Sequence, residues 1–165
     1  MPETKRLLLL RHAKSSWDDP ALADHDRPLA PRGRKASKLI ARHLRREEVA
    51  VSLVLCSSAR RARETLELVA PGGRTETEPE LYGASAGQLL DRLRRAPEEA
   101  GTVMLVGHNP AIQDLLVLLV DEPGDLATEK FPTGALATLA IDGPWRSLEP
   151  GRARLAELVT PRALG

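Results

Sequence analysis

The chain has 165 residues, 42% of them hydrophobic, which suits one domain over residues 1–165 built on a single buried core. Its 24 Lys and Arg offset 23 Asp and Glu to a net charge of +1, so no overall field gathers nucleic acid or an anionic membrane, and attraction for anions has to be local. The four leucines after MPETKR fall far short of a signal-peptide core or of the roughly 20 apolar residues of a membrane span, and a lone Cys56 cannot form an internal disulfide, so a reducing, cytoplasmic setting is expected.

The first apolar run, residues 6–10, reads as a strand buried on both faces, because it is short and does not alternate with polar residues. Residues 17–31 carry proline and acidic side chains without periodicity and are expected to form a loop. Ala36, Leu39, Ile40 and Leu44 then recur at three- and four-residue steps, which predicts an amphipathic helix. A second buried strand follows at 51–56, and a weaker one lies near 74–80. Leu89, Leu90 and Leu93 predict another helix, opened by a capping box between Ser85 and Gln88. The third strong strand, 103–107, leads into a helix carrying Ile112, Leu115, Leu116 and Leu119, with Asn109 expected as its N-cap and Pro110 as its first residue. Residues 121–133 read as a loop, 135–141 and 154–159 as further strands, and the closing PRALG as a frayed end. Strands alternating with helices predict an α/β domain with a largely parallel central sheet.

Three predicted strand ends carry unusual residues: Arg11-His12 after the first, Ser57-Ser58-Ala59-Arg60-Arg61 after the second and His108-Asn109 after the third. In a parallel sheet the carboxyl ends share one rim, where open α/β folds bind ligands, so two histidines and at least two arginines are expected in one pocket. Guanidinium forks match phosphate oxygens, and helix N-termini at the same rim add N–H donors, so the expected ligand is a phosphoryl group. A neutral imidazole is a competent nucleophile toward phosphorus, and a second, protonated one can stabilise charge on the equatorial oxygens. With no HExxH or paired-cysteine spacing, neither metal nor other cofactor is expected.

The motifs LLLLRHAKS (7–15), DHDRPLAPRG (24–33), CSSARRARET (56–65), LVGHNP (105–110) and FPTGAL (131–136) resemble, in that order, those of the histidine phosphatase superfamily and its SixA-type phosphohistidine phosphatase branch. Ala13 stands where the opening motif usually has glycine. The resemblance implies a three-layer α/β/α, phosphoglycerate mutase-like fold and a metal-independent phosphatase. By position it makes His12 the nucleophile, Arg11 and Arg61 the clamps on the phosphoryl oxygens, His108 the group that completes the cage, and Arg27 a further phosphate or substrate contact. Larger members of the superfamily use a glutamate as general acid. Glu80 is nearest by position and Asp24 is a second candidate, although the branch resembled lacks an obvious equivalent. Imidazole, with an ordinary pKa of about 6.5, leaves far more readily than an alkoxide, so phosphohistidine on a protein is the expected substrate. The alternatives are a phosphatase for small phosphate esters and a phosphate-binding regulatory module without turnover.

Other polar residues have plainer readings. His25 in an acidic loop and His43 on a basic helix are expected at the surface, and Arg60 and Arg63 as solvated charges. Lys14, Ser15 and Ser16 stand close enough in sequence to border the mouth, and Asp24 and Asp26 either orient Arg27 or solvate the loop. Cys56 lacks the arginine six positions on that a cysteine phosphatase loop needs, and is expected to be a buried strand residue.

Overall fold

A computed structural model describes residues 4–165. Six strands form one sheet in the order β3-β2-β4-β1-β5-β6: β1 (Thr4–Arg11), β2 (Leu53–Ser57), β3 (Arg74–Glu78), β4 (Thr102–Gly107), β5 (Leu136–Asp142) and β6 (Ala153–Val159). β1 to β4 pair in parallel, while β5 runs antiparallel to β1 and to β6. The helices are α1 (Pro31–Arg46), α2 (Arg60–Val69), α3 (Ala86–Arg94), α4 (Ala111–Leu119) and a last short one, α5 (Pro161–Leu164). No helix among the described residues is long and apolar enough to cross a membrane.

The unalternated leucines of β1 serve both sides of the sheet. Leu7 and Leu9 belong to a core cluster with α3 and α4, whereas Leu8 and Leu10 belong to a second cluster with α1 and α2. β2 and β4 divide in the same way, with Leu53, Leu55, Val103 and Leu105 on the first face and Val54, Cys56, Met104 and Val106 on the second. The result is three layers, helix on sheet on helix. Fully burying each such leucine stabilises the fold by about 1.5–3 kcal/mol.

Local chemistry sets where the elements start. The Ser85–Gln88 capping box forms as expected at the head of α3. α4 begins one residue later than expected: Pro110 is the cap position, and the Asn109 carboxamide oxygen accepts from the Gln113 N–H at 3.3 Å. α1 comes so close to the chain after β1 that a Cβ on Gly33 would meet the Lys14 carbonyl oxygen at 2.1 Å, which only glycine avoids.

One helix was not expected, and two expectations need correction. Residues 60–69 form α2, which periodicity did not reveal, because its inward face holds Arg61 and Thr65. The PRALG end is helical, capped by the Thr160 hydroxyl, and its Leu164 packs on the second core cluster. His43 is buried rather than superficial, its Nε2 lying 2.8 Å from Glu157 Oε1 across 114 residues of sequence.

Candidate active site at the carboxyl rim of the sheet

β1 and β4 pair in parallel with Arg11 opposite Gly107, so the next residues, His12 and His108, leave neighbouring strands at the same level. Their ring centroids are 5.1 Å apart with planes tilted by 52°. His12 is 7% exposed, and its Nδ1 lies 2.7 Å from the carbonyl oxygen of Ala13. A carbonyl can only accept, so Nδ1 carries the proton and Nε2 keeps its lone pair. Burial pushes the His12 pKa down to about 3; the Ala13 hydrogen bond opposes this, and the charges of His108, Arg61 and Arg11 add to it. His12 is therefore a neutral imidazole at pH 7.

The turn carrying His12 is fixed from α2. The Ala13 N–H donates to Thr65 Oγ1 at 3.0 Å, and that hydroxyl donates to the Arg61 carbonyl at 2.7 Å. The Ala13 methyl is wholly buried within this turn. On the other side, Gly134 donates its N–H to the carbonyls of Arg11 and His12. Its φ of +81° is a backbone conformation that side chains other than hydrogen disfavour.

His108 Nε2 lies 2.7 Å from Ser57 Oγ, which also accepts the Ala59 N–H at 3.2 Å. Its Nδ1 is buried without a hydrogen-bond partner among the described residues. Burial, then the Arg61 charge, brings the His108 pKa down to about 4. At pH 7 the ring is neutral, and a phosphoryl dianion beside it would raise that pKa by direct Coulomb attraction. His108 also lines a cleft of about 360 Å3 with Tyr82, Ala84 and Asp114.

Arg11 Nη1 donates to the Phe131 carbonyl at 2.9 Å, and its buried Nε has no partner among the described residues. Arg61 donates from Nη1 to the Asp24 carbonyl at 2.8 Å and from Nη2 to Asp24 Oδ2 at 3.0 Å. Both guanidinium charges depress both imidazole pKa values, so the four groups share one electrostatic locality. The contacts of Arg27 point elsewhere. It pairs with Asp24 Oδ1 at 2.8 Å, donates to the Ser16 carbonyl and the Ser15 hydroxyl, and lies 3.3 Å above the exposed Trp17 ring. Through Asp24, Arg27 shares a carboxylate with Arg61 and Tyr82.

Asp24 ties this loop to the site. The Tyr82 hydroxyl donates to its Oδ2, and that bond, aided by Arg61 and Arg27 against a desolvation cost, holds its pKa at about 2. An ionised carboxylate has no proton to give at neutral pH. Glu80 is exposed and lines a different cleft, with Glu78, Gln88 and Arg92. Arg60 and Arg63 are exposed as expected, and Cys56 is a buried thiol pushed up to about 12.

Sequence reasoning gave Tyr82, Ser57, Thr65 and His25 no role in the site. The Tyr82 ring meets His108 edge-on at 5.5 Å and His25 at 4.9 Å, while Arg61 sits 5.9 Å from its centre. His25 lies on the rim rather than apart from it, its Nε2 2.8 Å from Ser58 Oγ. The one available signal was that Tyr82 is the only tyrosine in a chain that is 2% aromatic.

Residues 7–99 match the family model of the histidine phosphatase superfamily, branch 1. An uncharacterized protein of Mycobacterium tuberculosis is 40% identical over 159 residues, covering 93% of this chain and 100% of that protein. Phosphohistidine phosphatase SixA of Escherichia coli K12 is 29% identical over 143 residues, covering 83% of this chain and 86% of its own. The solved structure of a SixA-type protein from Nakamurella multipartitia superposes with a TM-score of 0.87 at 32% identity, covering 98% of this chain and 99% of that one. This likeness extends the three-layer fold over nearly the whole chain.

Proposed function

The chain belongs to the histidine phosphatase superfamily, and from that premise we propose that it hydrolyses phosphohistidine on proteins through a covalent intermediate on His12. The observation that carries this reading is the His12 tautomer. A carbonyl partner at Nδ1 and a pKa near 3 leave Nε2 as an unprotonated nucleophile in a site charged by Arg11 and Arg61.

In the first step the Nε2 lone pair forms a bond to phosphorus as the P–N bond to the substrate's imidazole breaks. The departing ring, protonated on its other nitrogen, keeps the bonding pair and leaves as neutral imidazole. Arg11, Arg61 and His108 hold the three non-bridging oxygens, whose charge spreads in the transition state. In the second step water attacks the phosphorus, inorganic phosphate leaves, and His12 regains its lone pair. No metal is invoked in either step. Splitting the displacement in two lets His12 replace one easy leaving group by another.

The ionised state of Asp24 favours a substrate whose leaving group needs no acid. An alkoxide would need a proton that the ionised Asp24 does not hold, whereas an imidazole already protonated on its other nitrogen needs none. A regulatory binder of phosphate could use arginines alone and has no use for a fixed nucleophilic tautomer. The cytoplasmic setting expected from the sequence is kept as part of this reading, with Cys56 a free thiol.

Incubation with a radiolabelled phosphoryl donor, followed by acid and base treatment, tests the intermediate. Wild type is expected to carry acid-labile, base-stable label that His12→Ala lacks, and equal labelling of both proteins overturns the role of His12. In steady state, kcat/KM for a phosphohistidine peptide is expected to exceed that for an alkyl phosphate by about 100-fold or more. Equal values would favour small esters as substrates.

A further inference from the structure

Next to the histidine pocket lies a groove of about 390 Å3 that the chemistry above leaves unused. Lys14, Arg32, Lys130 and Arg162 line it, over an apolar floor that includes Pro132 and Pro161, and no carboxylate lines it. All four cations are exposed, and none makes a side-chain hydrogen bond or ion pair with another described residue. The first turn of α1, which carries Arg32, has no acidic residue either. In a chain with 24 basic and 23 acidic residues, where Arg60, Arg74 and Arg92 all find glutamates, this is a local segregation of charge.

The groove joins the pocket through the chain itself. Lys14 stands two residues after His12. Pro132 lies between Phe131, whose carbonyl accepts from Arg11, and Gly134, whose N–H donates to the carbonyls of Arg11 and His12. A molecule seated in the groove is therefore beside whatever enters the pocket.

We propose that this groove docks an acidic stretch of the protein substrate, next to its phosphohistidine; the inference rests on the phosphatase reading above. A small anion calls for buried, converging donors, as at Arg11 and Arg61, whereas four separate exposed heads suit carboxylates spread over a protein surface. Nucleic acid fits less well, because no aromatic side chain lines the groove for base stacking. Each exposed pair contributes little, so the effect comes from their sum and acts on encounter and KM.

Two synthetic peptides test this, each with one phosphohistidine, one flanked by Asp and Glu and the other by Asn and Gln. They are compared at about 50 mM salt, where screening is modest, by kcat and KM and by the binding anisotropy of labelled peptide. The proteins are wild type, the groove variant Arg32→Glu/Lys130→Glu/Arg162→Glu, its milder form with Gln at the same three positions, and the control Arg42→Glu/Arg152→Glu/Arg154→Glu. Wild type and control are expected to prefer the acidic peptide about tenfold, through KM. That preference is expected to shrink in the Gln variant and vanish in the Glu variant, with turnover of the neutral peptide unchanged throughout. No preference in wild type overturns the proposal, as does an equal loss in the control or equal displacement by an RNA of matched charge. Preferential binding of the acidic peptide without hydrolysis of either overturns the phosphatase reading and leaves the docking surface standing, whereas hydrolysis of both without preference does the reverse.

Discussion

Arg92 and Arg61 are both buried arginines, 9% and 7% exposed, yet the two ends of the sheet treat them differently. At the β3–α3 edge, Arg92 donates to Glu78 through Nε at 2.8 Å and Nη2 at 2.9 Å and to Glu76 at 2.7 Å, and the Glu78 bonds raise its pKa. At the carboxyl rim of the sheet, Arg61 shares one carboxylate with Arg27 and Tyr82. Arg11 has a single carbonyl and a lowered pKa, caused by burial. A cation already neutralised gains nothing from a further anion. One left partly unpaired in a low-dielectric rim gains a great deal, and this separates an arginine that holds the fold from one proposed to hold a phosphoryl group.

Substitutions that break one end and spare the other put this contrast at risk. The largest expected effect is that of His12→Ala, which lowers kcat/KM by about 10^4-fold or more in steady-state assays, because no other group supplies the lone pair. Arg61→Ala is expected to cost roughly 10^2–10^3-fold, mostly in kcat, through lost stabilisation of the transition-state oxygens. Tyr82→Phe keeps the ring against His108 but removes the hydroxyl bond to Asp24, and a roughly three- to tenfold loss of kcat/KM is expected. Arg92→Ala stands at the opposite pole. Thermal unfolding is expected to show a loss of about 1–3 kcal/mol, with kcat/KM unchanged. Should Arg92→Ala cost as much activity as Arg61→Ala, the distinction between the two ends fails.

β1, β2 and β4 were legible because burial on both faces writes itself as short leucine and valine runs, and the Ser85–Gln88 box announced α3 directly. The pairing of His12 with His108 followed from their place at the ends of parallel strands, a matter of topology more than of side-chain detail. α2 was hidden because it turns Arg61 and Thr65 inward, so a polar residue there marks the site and not the solvent. Tyr82 and His25 gave no periodic signal, since they come from irregular segments that meet only in the folded chain. His43 falls on the apolar side of α1, three residues after Ile40, but its partner Glu157 lies on a distant strand, beyond the reach of local pattern.

The lowered histidine pKa values also fix the sign of the pH response. The unfolded chain takes up protons near 6.5, whereas the folded chain resists until about 3 at His12 and about 4 at His108, so stability falls as pH drops through that window. Long-range proton–nitrogen NMR of the imidazole rings at about pH 5, where an ordinary histidine is mostly charged, addresses the nucleophile itself. His12 is expected to appear as a neutral ring protonated on Nδ1, with Nε2 bare. A charged His12 at that pH, or a neutral ring protonated on Nε2, would contradict the assignment of this nitrogen as the attacking atom.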